Sequence, residues 1–312
     1  MDDSWEFDWP PEWNIQEISE PKIATIHDFK NANALVLPSG GVKGVYILGA
    51  LHYLTEEVGM DHIKTYYGTS IGAIISGLLI IGYTPMETLI YICIHKIVMY
   101  LLASFDITKI FTEKSFLDSK VFIELLETMI KEKIGSVPTL GELHSLFNKK
   151  LCVCTISREN PTIPLYISSD SHPSITLVQA LHMSSSIPFI FGYASYDDID
   201  YFDGGVLDQF PILYASSVEE NLFGIDIFRQ NKKNDTIIND VLDMISLPIN
   251  YISYLLKKQV PFHVAYIEIH TNNEYTTKGN VQLIKMFTDG YKECKKLLQK
   301  NIKKPNHKIK VL

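Results

Sequence analysis

The chain has 312 residues, 46% of them hydrophobic, and a formal net charge of −8. That is enough apolar material for one large core, and the acidic balance excludes a nucleic-acid partner as the leading expectation. Cys93, Cys152, Cys154 and Cys294 make no secretory disulfide framework, and Met1-Asp2-Asp3 opens without the basic and apolar regions of a signal peptide. The expectation is an intracellular protein, cytoplasmic or peripheral at membranes, with no transmembrane span.

Residues 1–32 read as an N-terminal arm, with Trp5, Trp9 and Trp13 in an acidic stretch that Pro10-Pro11 keeps from being helical. Residues 33–300 read as a single catalytic domain and 301–312 as a basic tail. Residues 34–38 (A-L-V-L-P) predict a buried strand, followed by a glycine-rich loop over 39–44 and a helix over 45–58. A strand over 63–67 and a helix over 71–81 come next. Thr84 and Pro85 start a helix that runs to about residue 103. Amphipathic spacing predicts a helix over 116–133, and Thr139 with Glu142 forms a capping box for a short helix to Phe147.

Residues 151–157 and 163–168 are β-like, as a hairpin or as neighbouring strands. A short helix over 176–183 precedes a β-like run over 199–202. Then come a strand over 222–228, a helix over 237–256 bent or split by Pro248, a strand over 264–270 and a closing helix over 281–301. Strands alternating with helices predict a three-layer α/β/α fold with a mainly parallel sheet. The apolar runs 71–83 and 88–103 are a short buried segment and one interrupted by His95-Lys96, against the roughly 20 residues a span requires. Residues 281–312 hold nine lysines against Asp289 and Glu293, a basic end suited to anionic lipid heads or simply to solvent.

Three stretches carry chemistry. Gly68-Thr69-Ser70-Ile71-Gly72 is a G-x-S-x-G pentapeptide between a strand and a helix, the setting of a nucleophile elbow with Ser70 at its apex. Side chains at Gly68 and Gly72 would clash with the neighbouring helix and strand. The loop Ser39-Gly40-Gly41-Val42-Lys43-Gly44 turns consecutive N–H groups toward one spot, and beside a nucleophile these amides of Gly40, Gly41 and Val42 suit an oxyanion hole. Asp203-Gly204-Gly205 places a carboxylate at a strand end with open access, as a general base requires.

In this order the three stretches resemble the patatin-like phospholipases, which carry a glycine-rich oxyanion loop, then G-x-S-x-G, then D-G-[GA]. The small-residue segment Met183-Ser184-Ser185-Ser186-Ile187-Pro188-Phe189 is similar to the one preceding that family's aspartate. The resemblance covers residues 33–215. It implies a Ser70–Asp203 dyad, no cofactor or metal, a phospholipid or lysophospholipid substrate and peripheral membrane contact. Ser39, Lys43 and Gln209 depart from the family's usual glycine, arginine and asparagine. Lys43 is a candidate for stabilising negative charge, and the helix over 86–103 for the wall of an acyl groove. Two readings compete: a lipid-binding or scaffold relative of low activity, and a Ser-Asp-His triad drawing on Asp226 with His270 or Asp203 with His263.

Overall fold

The computed structural model describes residues 22–95, 119–187, 191–228, 237–271 and 279–300, with backbone only over 237–245 and at 300. The three tryptophans, the second half of the helix expected over 85–103, and the tail 301–312 lie outside these residues. Eight strands form one sheet among the described residues. They are β1 (Ala34–Leu37), β2 (Thr65–Thr69), β3 (Lys150–Ser157), β4 (Leu165–Ser168), β5 (Ala194–Tyr196), β6 (Ile199–Asp203), β7 (Leu222–Phe228) and β8 (Ala265–His270). Their order is β5-β6-β3-β2-β1-β7-β8, with β4 also on β3. β3, β2, β1, β7 and β8 are parallel, whereas β4, β5 and β6 pair antiparallel.

A mainly parallel sheet must be covered on both faces, because its strands bury both sides. Successive side chains of β1 point to opposite faces. Leu35 and Leu37 join the larger core with Phe29, Leu51 and Phe223, while Ala34 and Val36 join a smaller one with Tyr67 and Phe210. This explains the unbroken apolar run in the sequence. Each fully buried leucine contributes about 1.5–3 kcal/mol relative to exposure.

The helices are α1 (Ile26–Asn31), α2 (Gly44–Glu57), α3 (Ile71–Ile80), α4 (Pro85–Ile94), α5 (Ser119–Ile134), α6 (Leu140–Phe147), α7 (Leu177–Ser185), α8 (Ile212–Val218), α9 (Ile237–Lys258) and α10 (Asn280–Lys300). Side-chain caps fix several starts. Thr84 and Glu87 exchange hydrogen bonds of 3.1 and 2.8 Å with each other's backbone, and Thr139 with Glu142 repeats the arrangement. α2 and α10 approach so closely that a Cβ on Gly49 would meet the Phe287 carbonyl and one on Gly290 the Tyr46 carbonyl.

The differences from sequence expectation have local causes. β2 lies over Thr65–Thr69 rather than 63–67, because Lys64 and Thr65 both donate to the Asn33 carbonyl and set Thr65 opposite Ala34. α9 runs through Pro248 as one helix and is not split there. β5 pairs with β6 across Asp197-Asp198, whose φ values of 49° and 61° suit a tight hairpin without the glycine that would signal it. Helices α1 and α8 carried no sequence expectation. No single helix among the described residues is long and apolar enough to cross a membrane; α3 and α4 pass by composition only as a pair bent by 115°.

Candidate active site

Ser70 stands between the end of β2 and the start of α3 with φ 55° and ψ −122°, a strained backbone for a residue with a Cβ. The glycines on either side allow the turn. A Cβ at Gly68 would lie 2.5 Å from the Ala73 nitrogen, in α3, and one at Gly72 would lie 2.5 Å from the Leu37 carbonyl, at the end of β1. The elbow is also held from outside. The Ser70 amide donates to Ser184 Oγ at 2.9 Å, and that hydroxyl donates to the Cys154 carbonyl at 2.7 Å. A buried N–H without an acceptor costs about 1–3 kcal/mol, so Ser184 is part of what makes the strained turn tenable.

Sheet register brings Asp203 to the same level. Thr69, just before Ser70, pairs with Cys154, and the next β3 residue, Thr155, pairs with Asp203 at the end of β6. Cys154 and Thr155 pair with Tyr166 and Leu165 of β4 on one edge of β3, so β2 and β6 follow one another along the other edge, with Thr69 and Asp203 opposite adjacent β3 residues. Asp203 Oδ1 accepts from the Gly205 amide at 2.7 Å, and the Asp203 amide donates to the Ser186 carbonyl at 2.9 Å. Gly204 and Gly205 form a 3-10 turn directly after it. Thr155 Oγ1 lies between the carbonyls of Met183 (3.0 Å) and Phe202 (2.8 Å). The serine-rich segment therefore ties the elbow, β3 and the aspartate together. Its signal was in the sequence, but Ser184 had no assigned role there.

The loop after β1 is a 3-10 turn over Gly41–Lys43, with Gly41 at φ 53° and the Lys43 amide donating to the Gly40 carbonyl at 3.1 Å. Among the described residues, no backbone carbonyl accepts from the amides of Gly40, Gly41 or Val42. Gly44 opens α2 against Ile71 at the start of α3. The departures at Ser39 and Gln209 meet directly, the Ser39 amide donating to the Gln209 carbonyl at 2.7 Å. Ser39 has no positive φ, so its Cβ is accommodated there.

Two cavities meet at Ser70. One, of about 370 Å³, is lined by Gly40, Lys43, Ser70 and Asp203, with Ser246 and Asn250 of α9 on its far wall. Sequence reading did not find these last two, because α9 is remote in the chain and its periodicity marks a face without saying what it meets. The other cavity, of about 240 Å³, is apolar. Val45 and Leu48 of α2, Ile75 and Leu78 of α3, and Leu126 and Met129 of α5 line it. α4, the expected wall, contributes Thr88 and Ile92, so the wall is shared with other helices.

Beneath the site lies Asp208, 3% exposed, whose carboxyl burial pushes up to about 6. Tyr166 donates to it at 2.7 Å, and the Asp208 carbonyl accepts from Thr69 Oγ1 at 3.0 Å. The residues of the competing triad are otherwise engaged. Asp226 accepts from Lys257 Nζ at 3.0 Å and from the Ile227 amide at 2.8 Å. His270 is exposed with its ring centroid 4.8 Å from that of Phe228, and neither it nor His263 lines either cavity at Ser70. His182 is buried and its pKa is pushed down to about 4 by desolvation. No group of three or more His, Cys, Asp or Glu that could hold a metal occurs among the described residues.

Comparison with known proteins finds relatives of this chain. The profile of the patatin-like phospholipase family matches residues 35–216. The probable lipid hydrolase 463L of Invertebrate iridescent virus 6 is 32% identical over 215 residues, covering 67% of this chain and 69% of that protein. The uncharacterized protein R571 of Acanthamoeba polyphaga mimivirus is 26% identical over 306 residues, 93% of this chain and 100% of its own. Among solved structures, VipD of Legionella pneumophila superposes with a TM-score of 0.54 at 16% identity, over 86% of this chain and 67% of that one. At that identity the likeness concerns the fold.

Proposed function

The chain belongs to the patatin-like phospholipase family, and on that premise we propose that it releases fatty acid from phospholipids or lysophospholipids through an acyl-enzyme on Ser70. The observation that carries the reading is that Ser70 and Asp203 line one cavity while Ser70 also opens onto the apolar one. The acyl chain lies in the apolar cavity and the glycerophosphate head in the polar one, beside Lys43. Ser70 Oγ attacks the ester carbonyl carbon as its proton passes to Asp203. The Gly205 amide, donating to Asp203 Oδ1, fixes the orientation of the carboxylate that takes the proton. The tetrahedral oxyanion accepts from the amides of Gly40, Gly41 and Val42, each worth on the order of 3 kcal/mol in the transition state. Collapse breaks the ester C–O bond, and the leaving alkoxide takes the proton from Asp203. A water, deprotonated by Asp203, then attacks the acyl carbonyl; the Oγ–C bond breaks, Ser70 Oγ takes the proton back from Asp203, and the fatty acid is freed.

The test is fatty-acid release from phosphatidylcholine vesicles in EDTA. Ser70→Ala and Asp203→Asn should each lose at least about 10³-fold, roughly 4 kcal/mol of transition-state stabilisation. His263→Ala and His270→Ala should keep wild-type rates. A folded wild-type protein inert both on vesicles and on a short activated ester would overturn the enzyme reading in favour of a lipid-binding relative.

A further inference from the structure

On the side of α4 away from the apolar cavity, α4 and α10 enclose a second groove, of about 740 Å³. Its floor is Leu89, Phe287 and Tyr291, and its lips carry Ile90, Ile94 and Ile284, which are 48%, 69% and 52% exposed. Three large aliphatic side chains held in solvent on facing helices form a patch that a folded domain seldom leaves uncovered. Lys292 and Lys295 stand at one end of the groove and make no ion pair among the described residues.

The chain itself contains a segment of complementary chemistry. Residues 1–21 hold seven carboxylates, no lysine or arginine, and all three tryptophans. Pro10-Pro11 lies between Trp9 and Trp13. A Pro-Pro step restricts the chain's conformational freedom and favours the extended type of segment that aromatic-lined grooves recognise. Each tryptophan brings about 150–250 Å² of surface to bury.

The segment joins the body at the right end. Ile23 forms a parallel bridge with Tyr266, at the start of β8. α2 follows β1 and so runs back toward the strand starts. α10 lies beside α2 in the same direction, Gly49 meeting Phe287 and Tyr53 meeting Tyr291. Lys292 and Lys295 are therefore toward the same end of the sheet as Ile23. At roughly 3.3 Å per residue, twenty-one residues reach up to about 70 Å, against about 15 Å for the length of α4.

We propose that residues 1–21 dock in the α4–α10 groove, their aromatic rings on the isoleucine lips and their carboxylates against Lys292 and Lys295. A bilayer is the other surface that would attract isoleucine and lysine, but the site is a concavity between two helices, which fits an extended peptide better than a flat interface. Because Thr88 and Ile92 on the same helix line the apolar cavity, a docked segment braces that wall. The docking does not depend on the reaction.

With every tryptophan in the segment, intrinsic fluorescence of the full chain reads its position directly. The expected result is blue-shifted emission and protection from acrylamide relative to a synthetic peptide of residues 1–21. Ile94→Glu with Ile284→Glu, and separately Lys292→Glu with Lys295→Glu, should move emission and quenching to the values of the free peptide while circular dichroism stays unchanged. These positions are solvent-exposed or polar, so the fold should tolerate the changes. Peptide-like emission in the wild type would overturn the proposal, as would protection that both double variants retain. Tryptophans exposed in the wild type that blue-shift only on adding phosphatidylserine vesicles would assign the segment to a membrane instead, and would also overturn it.

Discussion

On the polar side of Ser70 the three motif stretches are each delivered by a turn at the end of a strand. β1 leads into the Gly40–Gly41 turn, β2 into Ser70 and β6 into Asp203. Backbone hydrogen bonds and glycine contacts set their positions to within a narrow range. On the apolar side the lining comes mainly from α2, α3, α4 and α5, whose side chains are placed by packing. The difference teaches that one half of the site is specified by local stereochemistry and the other by volume. Changes on the polar side should abolish or destabilise, and changes on the apolar side should only shift preference.

The sharpest break of that contrast is the loss of at least about 10³-fold expected for Ser70→Ala and Asp203→Asn. Next is Asp208. Its carboxyl is raised from 3.8 to about 6 in the folded chain, so the folded state holds its proton more tightly than the unfolded one. The sign follows: the protonated form suits the fold, and stability is lost as pH rises from about 4 to about 6. Relative to Asp208→Asn, the wild type should gain about 2 kcal/mol between pH 7 and pH 4, measured by urea unfolding at each pH. No pH dependence of that difference would mean that Asp208 is not buried as described.

Ser184→Ala should cost about 1–3 kcal/mol by leaving the Ser70 amide without its acceptor. It should also lower kcat more than KM, because the elbow loosens while the acyl wall is untouched; stopped-flow ester hydrolysis separates the two. The smallest effect is expected at the apolar wall. Ile92→Phe narrows the cavity and should change the long-to-short acyl preference by about tenfold with little change in stability, read from a series of p-nitrophenyl esters. If Ile92→Phe instead abolished turnover of every ester, the contrast between the two halves would fail.

The polar half was legible in the sequence because its constraints are local. Gly68 and Gly72 flank Ser70 by necessity of the turn, and the strand-loop-helix pattern located the loop after β1 and the turn after β6. The parallel sheet was legible for a similar reason, since the run Ala34-Leu35-Val36-Leu37 fills both cores. The apolar half was not, because Leu48, Leu78 and Met129 meet only through tertiary packing, and an apolar helix face does not say what it faces. Ser184 falls between the two cases: its segment stood out by composition, but the bond to the Ser70 amide depends on α7 packing against β3, whose Cys154 carbonyl holds the same hydroxyl. β5 escaped because Asp197-Asp198 makes a hairpin turn without glycine.

The most direct test of the central claim is to trap the acyl-enzyme. Wild-type protein mixed with an excess of a slowly deacylating p-nitrophenyl ester, quenched in acid and digested, should carry the acyl mass on the peptide containing Ser70. The same treatment of Asp203→Asn should leave that peptide unlabelled. An acyl group on another residue, or full turnover with Ser70 unlabelled and Ser70→Ala active, would contradict the account.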